Sequence, residues 1–61
     1  MNDDLRRQVR LLKAIQGVSY KEIASYLEIN ANSLYNWLRA DYDFSDRKQR
    51  ELQTIISTLK E

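Results

Sequence analysis

A chain of 61 residues with a net charge of +1 forms one small domain at most, and it buries only about 60% of the surface that its unfolded form exposes. Cysteine and histidine are both absent, which excludes a disulfide scaffold, a zinc site of the usual Cys/His kind and a nucleophile activated by histidine. No apolar run approaches the roughly 18 residues that cross a bilayer, so we expect a soluble, cytoplasmic protein without a membrane partner. Because the usual catalytic and metal-binding side chains are missing, we also expect that it is not an enzyme and has no cofactor or metal.

The first predicted element is a helix that begins near Asp3 and Asp4, whose carboxylates suit a first helical turn. Proline is absent and glycine occurs once, which favours helices over strands throughout the chain. Gly17 is the expected end of this helix, as a left-handed residue after its last turn. The stripe that would face the core is apolar at helical spacing and consists of Leu5, Val9, Leu12 and either Ile15 or Gln16.

The next two predicted helices are short and are joined by a tight turn. Ser19 and Glu22 form an S-x-x-E capping box, so the second helix begins at Tyr20. Asn30 has the side chain of an N-cap for a third helix over residues 31–39. This layout is that of a helix-turn-helix. Apolar or small residues stand where the two helices would pack, at Ile23, Ala24, Leu27, Ile29, Leu34, Trp37 and Leu38.

A fourth predicted helix closes the core. Ser45 is its expected N-cap, and Asp46 favours its first turn. Its apolar side follows helical spacing and consists of Leu52, Ile55, Ile56 and Leu59. The sequence therefore predicts an all-α fold, a compact helix-turn-helix domain of four or five helices that spans residues 1–61.

Most of the chain resembles the lambda repressor and Cro-like (XRE-type) helix-turn-helix family, and the segment LRADYDFSDRKQRELQTIISTL looks like that family's continuation into a further helix. The family usually has glycine where this chain has Glu28, so a left-handed residue there would be strained by roughly 1 kcal/mol. The fragment SYKEIASYLEINANSLYNWL also resembles the homeodomain-like helix-turn-helix of transposases and small terminase subunits. The apolar and small positions of the lambda repressor and Cro-like family are matched by Ile23, Ala24, Leu27, Ile29, Leu34 and Trp37.

The resemblance implies a small transcriptional regulator, a repressor of a phage or mobile element, that binds a specific double-stranded DNA site. Such proteins place the second helix of the motif in the major groove, here residues 31–39. Asparagine pairs well with adenine, so we hypothesise a site that favours A·T. The predicted base contacts are Asn30, Ala31, Asn32, Ser33, Tyr35 and Asn36. The predicted phosphate contacts are Tyr20, Lys21 and Arg39.

The basic residues of the first helix have two interpretations. We expect them to form a solvated face, with direct DNA contact as the alternative. They give residues 1–16 a net charge of +2, and they are Arg6, Arg7, Arg10 and Lys13.

One small domain makes few contacts with DNA, so we expect a homodimer on two half-sites. Its surface would combine Leu11 with the face of Ile55, Ile56 and Leu59, joined by aromatic residues of the segment 42–44. A rival interpretation is a protein-interaction module, an anti-repressor or inhibitor on the same scaffold. The near-neutral net charge and the acidic residues after Arg39 favour that protein partner.

Overall fold

The computed structural model describes residues 1–60, and over this range the chain forms four α-helices. They are α1 (Asn2–Leu11), α2 (Tyr20–Tyr26), α3 (Ala31–Leu38) and α4 (Asp46–Leu59). The last turn of α1 continues into a π-helical segment, Leu12–Gln16. The molecule measures 27 × 20 × 20 Å. The predicted all-α fold with a helix-turn-helix at α2 and α3 is confirmed. Within residues 1–60, no helix is both long enough and apolar enough to cross a bilayer.

Three helices begin at the N-caps that the sequence predicts. Ser19, Asn30 and Ser45 each accept a hydrogen bond from the backbone N–H three residues further on, at 3.1, 2.8 and 3.3 Å. Each cap satisfies one of the unpaired N–H groups of a first turn. The Glu22 carboxylate accepts from the Tyr26 hydroxyl at 3.5 Å rather than closing the capping box. The starts of α2, α3 and α4 are therefore set by local sequence.

The turn between α2 and α3 depends on a left-handed glutamate. Glu28 has a φ of +60°, its N–H donates to the Ser25 carbonyl at 3.0 Å, and the Ile29 N–H donates to the Ala24 carbonyl at 3.0 Å. These two bonds are the Schellman pair that commonly ends a helix. The strain expected at Glu28 is present, and the tight turn forms without glycine.

Helix α3 ends in the same way at Ala40, where the sequence carries no corresponding signal. Ala40 has a φ of +65°, and its N–H donates to the Trp37 carbonyl at 2.9 Å. The next N–H, of Asp41, donates to the Asn36 carbonyl at 3.0 Å and completes the Schellman pair. The link to α4 therefore begins at a second strained residue, directly after α3.

We expect Ala40→Gly to raise the free energy of unfolding by about 1 kcal/mol, because glycine adopts a positive φ without a Cβ clash. The matched control is Ala14→Gly, since Ala14 is exposed and lies in the right-handed π-helical segment. There the same change should lower the free energy of unfolding by about 0.5–1 kcal/mol. Urea denaturation followed by circular dichroism measures both, and shifts of the same sign would contradict the conformation described at Ala40.

The core draws on every helix and on the link between α3 and α4. Trp37 is fully buried and stacks on Phe44 of that link, with ring centroids 4.3 Å apart and planes 11° apart. The prediction that Trp37 is a core residue is confirmed. The buried apolar residues are Leu5, Val9, Leu12, Ile23, Ala24, Leu27, Leu34, Trp37, Leu38, Phe44, Leu52 and Ile56.

The π-helical segment changes the face that the end of α1 presents. Leu12 is buried, but Ile15 is 75% exposed and Gln16 is also exposed. A π-helical turn holds more residues than an α-helical turn, so positions after Leu12 rotate away from the α-helical stripe. The expectation that Ile15 or Gln16 continues the core stripe is therefore wrong. Gly17 follows with a φ of +73° and ends the segment as predicted.

Arg6 is a buried side chain rather than part of a solvated face, which corrects the expectation for that residue. Its side chain is 5% exposed, and Nε donates to the Trp37 carbonyl at 2.5 Å while Nη2 donates to the Tyr42 carbonyl at 2.8 Å. Ion pairs join it to Asp3 at 2.6 Å and Asp43 at 2.8 Å. Burial alone would lower the pKa of Arg6, but hydrogen bonds to Asp43 and Asp3 outweigh it and raise that pKa. Arg6 thus fastens α1 to the end of α3.

Two further side chains of α1 hold the same end of α3. Asn2 Oδ1 accepts from Trp37 Nε1 at 2.8 Å and from the Phe44 N–H at 2.9 Å. Arg10 Nη2 donates to the Leu38 carbonyl at 2.6 Å, at the helix C-terminus where a cation is favourable. Helix α1 therefore orients α3 through hydrogen bonds as well as through apolar packing.

Candidate nucleic-acid interface

The outer side of α3 is a stripe of polar and aromatic residues. Asn32, Tyr35, Asn36 and Arg39 follow one another at the spacing i, i+3, i+4 and i+7, so they share one face of the helix. The opposite face is buried in the core. The sequence between Asn30 and Leu38 contains no charged residue. Apart from Arg39 at its end, the stripe is uncharged, which suits it to hydrogen bonding with base edges rather than to nonspecific attraction of phosphate.

The structure places all six predicted base contacts in α3 or at its N-cap. Asn30, Asn32 and Tyr35 are exposed, and Ala31, Ser33 and Asn36 are half-buried. The N-cap bond occupies Oδ1 of Asn30, so a base contact from this residue would use Nδ2. Contact with DNA remains a prediction for all six.

The far end of the stripe carries a small polar network. Arg39 Nη2 donates to Asn36 Oδ1 and pairs with Asp41 Oδ2 at 3.3 Å. This arrangement turns the Asn36 amide so that Nδ2 is the group left to donate. A bidentate contact with adenine needs Oδ1 as an acceptor as well. The group that Asn36 can offer to a base is therefore its Nδ2 donor. Arg39, a predicted phosphate contact, has its charge partly balanced by Asp41.

Asp41→Asn is expected to strengthen binding to every duplex, because it removes a negative charge beside the stripe and releases Arg39 for a phosphate. The slope of log affinity against log salt should become steeper by about 0.9, the value for one added phosphate contact. Asp4→Asn is the matched control, since it breaks the exposed pair between Asp4 and Arg7 on α1. Fluorescence anisotropy across a salt series measures the slopes, and equal slopes for the two variants would contradict a phosphate role for Arg39.

An array of aromatic rings and a cation lies beside the start of α2. Tyr20 is half-buried and packs against the core, and its ring meets Tyr35 of the stripe edge to face, with centroids 6.1 Å apart. Lys13 Nζ lies 5.2 Å from the centre of the Tyr20 ring. Lys21, the other predicted phosphate contact of α2, is exposed. The sequence identifies Lys13 only as one of four basic residues near the N-terminus, because its contact with Tyr20 depends on tertiary structure.

Much of the positive charge is balanced within the molecule. Lys48, for example, pairs with Glu51. Its Nζ also donates to the Leu27 carbonyl at 3.2 Å, so this lysine supports the end of α2. Few cations therefore remain available to phosphate. Five of the ten cations pair with a carboxylate within residues 1–60, and these are Arg6, Arg7, Arg39, Arg47 and Lys48.

The apolar surface predicted for a dimer is smaller than expected. Ile56 and Phe44 are buried in the monomer core, so neither is available to a second copy. A shallow apolar groove between α2 and α4 remains, lined by Tyr26, Ile55 and Leu59. Leu11 and Ile15 are also exposed and line a separate groove with the end of α4.

The sequence model of a family described as Transposase (HTH_Tnp_1) matches residues 5–61. The matched range includes α2, α3 and α4 and every predicted contact residue. No curated protein and no solved structure matched the chain. The match supports a helix-turn-helix DNA-binding family and gives no specific support to the lambda repressor and Cro-like type.

Proposed function

The chain belongs to the transposase helix-turn-helix family, and from this premise we propose that it recognises a specific double-stranded DNA sequence as the DNA-binding domain of a transposase. The observation that carries the proposal is the stripe on the outer side of α3, where Asn32, Tyr35 and Asn36 are uncharged and lie opposite the buried face of the helix. Caps at both ends of α3 fix its length. We also propose that the chain binds DNA in the cytoplasm without catalysing a reaction on it.

In this proposal α3 lies in the major groove and α2 lies across the backbone, as in other helix-turn-helix proteins. Asn32 reads base edges near the start of α3, and Tyr35 contacts a thymine methyl or a sugar. Lys21 contacts a phosphate and fixes the register of the protein on the duplex. The preference for A·T stays a hypothesis, and a G-rich selected site would contradict it.

A small repressor of the lambda type is the second candidate. Its support is the resemblance to that family, which implies a further helix after the helix-turn-helix, as α4 is here with Leu52 and Ile56 in the core. The transposase family match covers α4 as well. A repressor dimer would select two symmetric half-sites about one helical turn apart. The groove of Tyr26, Ile55 and Leu59 is the surface we propose for the second copy.

Selection of bound duplexes from a random pool tests these proposals together. A defined asymmetric motif supports the transposase proposal, and a palindrome of two half-sites supports the repressor. A light-scattering mass of one chain at high concentration, with and without the selected duplex, would contradict the dimer. A pool that yields no motif, with affinity that does not fall as salt rises, would contradict DNA recognition and favour a protein partner instead.

A further inference from the structure

We infer that Lys13 is a phosphate-contacting residue of the DNA interface and that Tyr20 is the positioning residue that holds it there. The inference rests on the proposed DNA binding and assigns a specific part of that interface. Tyr20 itself was predicted from the sequence to contact phosphate, and the structure suggests a different task for its ring. The two residues belong to different helical segments, the π-helical segment after α1 and the first turn of α2.

The first argument is the availability of charge. Five cations pair with carboxylates within residues 1–60, and Arg10 donates to the carbonyl at the end of α3. Of the remaining cations, Arg50 and Lys60 belong to α4 or its end, and Lys60 lines the groove of Leu11 and Ile15. Lys13 and Lys21 are the two that lie beside the start of α2.

The second argument is the distance from Lys13 to the stripe of α3. The Lys13 ammonium contacts the Tyr20 ring, and the Tyr20 ring contacts Tyr35. Those two contacts place the ammonium no more than about 11 Å from the centre of the Tyr35 ring. The major groove is about 12 Å wide and about 8.5 Å deep. A cation at this distance from a side chain in the groove is within range of the phosphates at its edge.

The third argument is preorganisation. Lysine is a long and flexible side chain that loses much rotamer freedom when it binds a phosphate. Contact with the half-buried Tyr20 ring already restricts Lys13, and the ring is itself packed on the core. The backbone of Lys13 lies in a π-helical segment, a distortion that occurs frequently at functional sites.

Lys13→Met tests the contact, because methionine keeps an unbranched apolar side chain and removes the charge. We expect affinity for the selected duplex and for a scrambled duplex to fall by the same factor, about threefold at low salt. The salt slope should decrease by about 1. Lys60→Met is the matched control and should keep the slope of the parent. A parental slope in Lys13→Met overturns the inference alone, whereas a parent that binds neither duplex overturns the proposed function.

Two substitutions at Tyr20 test the positioning role. Tyr20→Phe keeps the ring and should bind DNA like the parent, whereas a loss equal to that of Lys13→Met would assign the phosphate contact to the Tyr20 hydroxyl and overturn the inference. Tyr20→Leu removes the ring, so Lys13→Met should then cause less than half of its usual change in slope. Full additivity of the two changes would also overturn the positioning role. Circular dichroism confirms that each variant is folded before binding is measured.

Discussion

Arg6→Ala is expected to lower the free energy of unfolding by about 2–4 kcal/mol, because a buried carbonyl left without its donor costs about 1–3 kcal/mol and a buried side chain is lost as well. The carboxylates of Asp3 and Asp43 add little to this cost, since both are largely exposed to solvent. The substitution leaves the carbonyls of Trp37 and Tyr42 without their donors and empties the volume that the guanidinium fills. The guanidinium also lies 5.1 Å from the Trp37 ring, and that contact is lost. A domain of this size rarely has more than about 3–5 kcal/mol of stability from its core. The variant should therefore keep little of its stability at 25 °C.

Neighbouring substitutions show whether the loss belongs to Arg6 itself. Arg7→Ala is the matched control, because Arg7 is exposed and its pair with Asp4 is a surface pair. It should change stability by less than about 1 kcal/mol. Arg6→Lys keeps the charge but lacks the planar fork that reaches several acceptors, so it should fall between the two. Urea denaturation measures all three, and an Arg6→Ala protein as stable as Arg7→Ala would contradict the role described.

Asn32→Ala is expected to reduce discrimination between the selected and the scrambled duplex by about 1–3 kcal/mol, the range for a good base contact. Asn32 is exposed at the start of α3, the part of a recognition helix that reaches base edges. Affinity for the scrambled duplex should stay unchanged, because an amide contact with a base carries no net charge. Lys21→Ala should instead weaken both duplexes alike and lower the salt slope by about 1.

The same comparison ranks the two asparagines of the stripe. Asn36→Ala should cost less discrimination than Asn32→Ala, because Arg39 already occupies the Asn36 carbonyl oxygen. Competition titrations with both duplexes measure each difference. If Asn32→Ala separates the selected from the scrambled site as well as the parent does, the assignment of Asn32 to base contact is wrong.

Local signals in the sequence predicted the parts of the fold that depend on a few neighbouring residues. The caps at Ser19, Asn30 and Ser45 each need only a side-chain oxygen and an N–H three residues away. The end of the first helix at Gly17 needs only a residue that tolerates a positive φ. The turn at Glu28 was predicted from the spacing of two helices, which leaves few conformations for the residues between them.

Three further features have no clear signal in the local sequence. Arg6 finds its carbonyl partners 31 and 36 positions away, so its burial has no local signature, and an arginine in an amphipathic helix is usually solvent-facing. The π-helical segment displaces Ile15 although the local pattern fits an α-helix. Arg39 donates to the Asn36 carbonyl oxygen one helical turn away, and the sequence does not predict this bond. The bond changes which atoms of Asn36 are left for contact with a base.

The burial of Trp37 gives the protein a built-in optical probe. Trp37 is the only tryptophan in the chain, and it is bonded to Asn2, stacked on Phe44 and covered by Arg6. Its emission spectrum therefore senses whether α1, α3 and the link to α4 are assembled. Because it lies on the side of α3 opposite the stripe, DNA bound as proposed would leave its surroundings intact. A single spectrometer can follow assembly through intrinsic emission and DNA capture through a dye on the duplex, in the same sample.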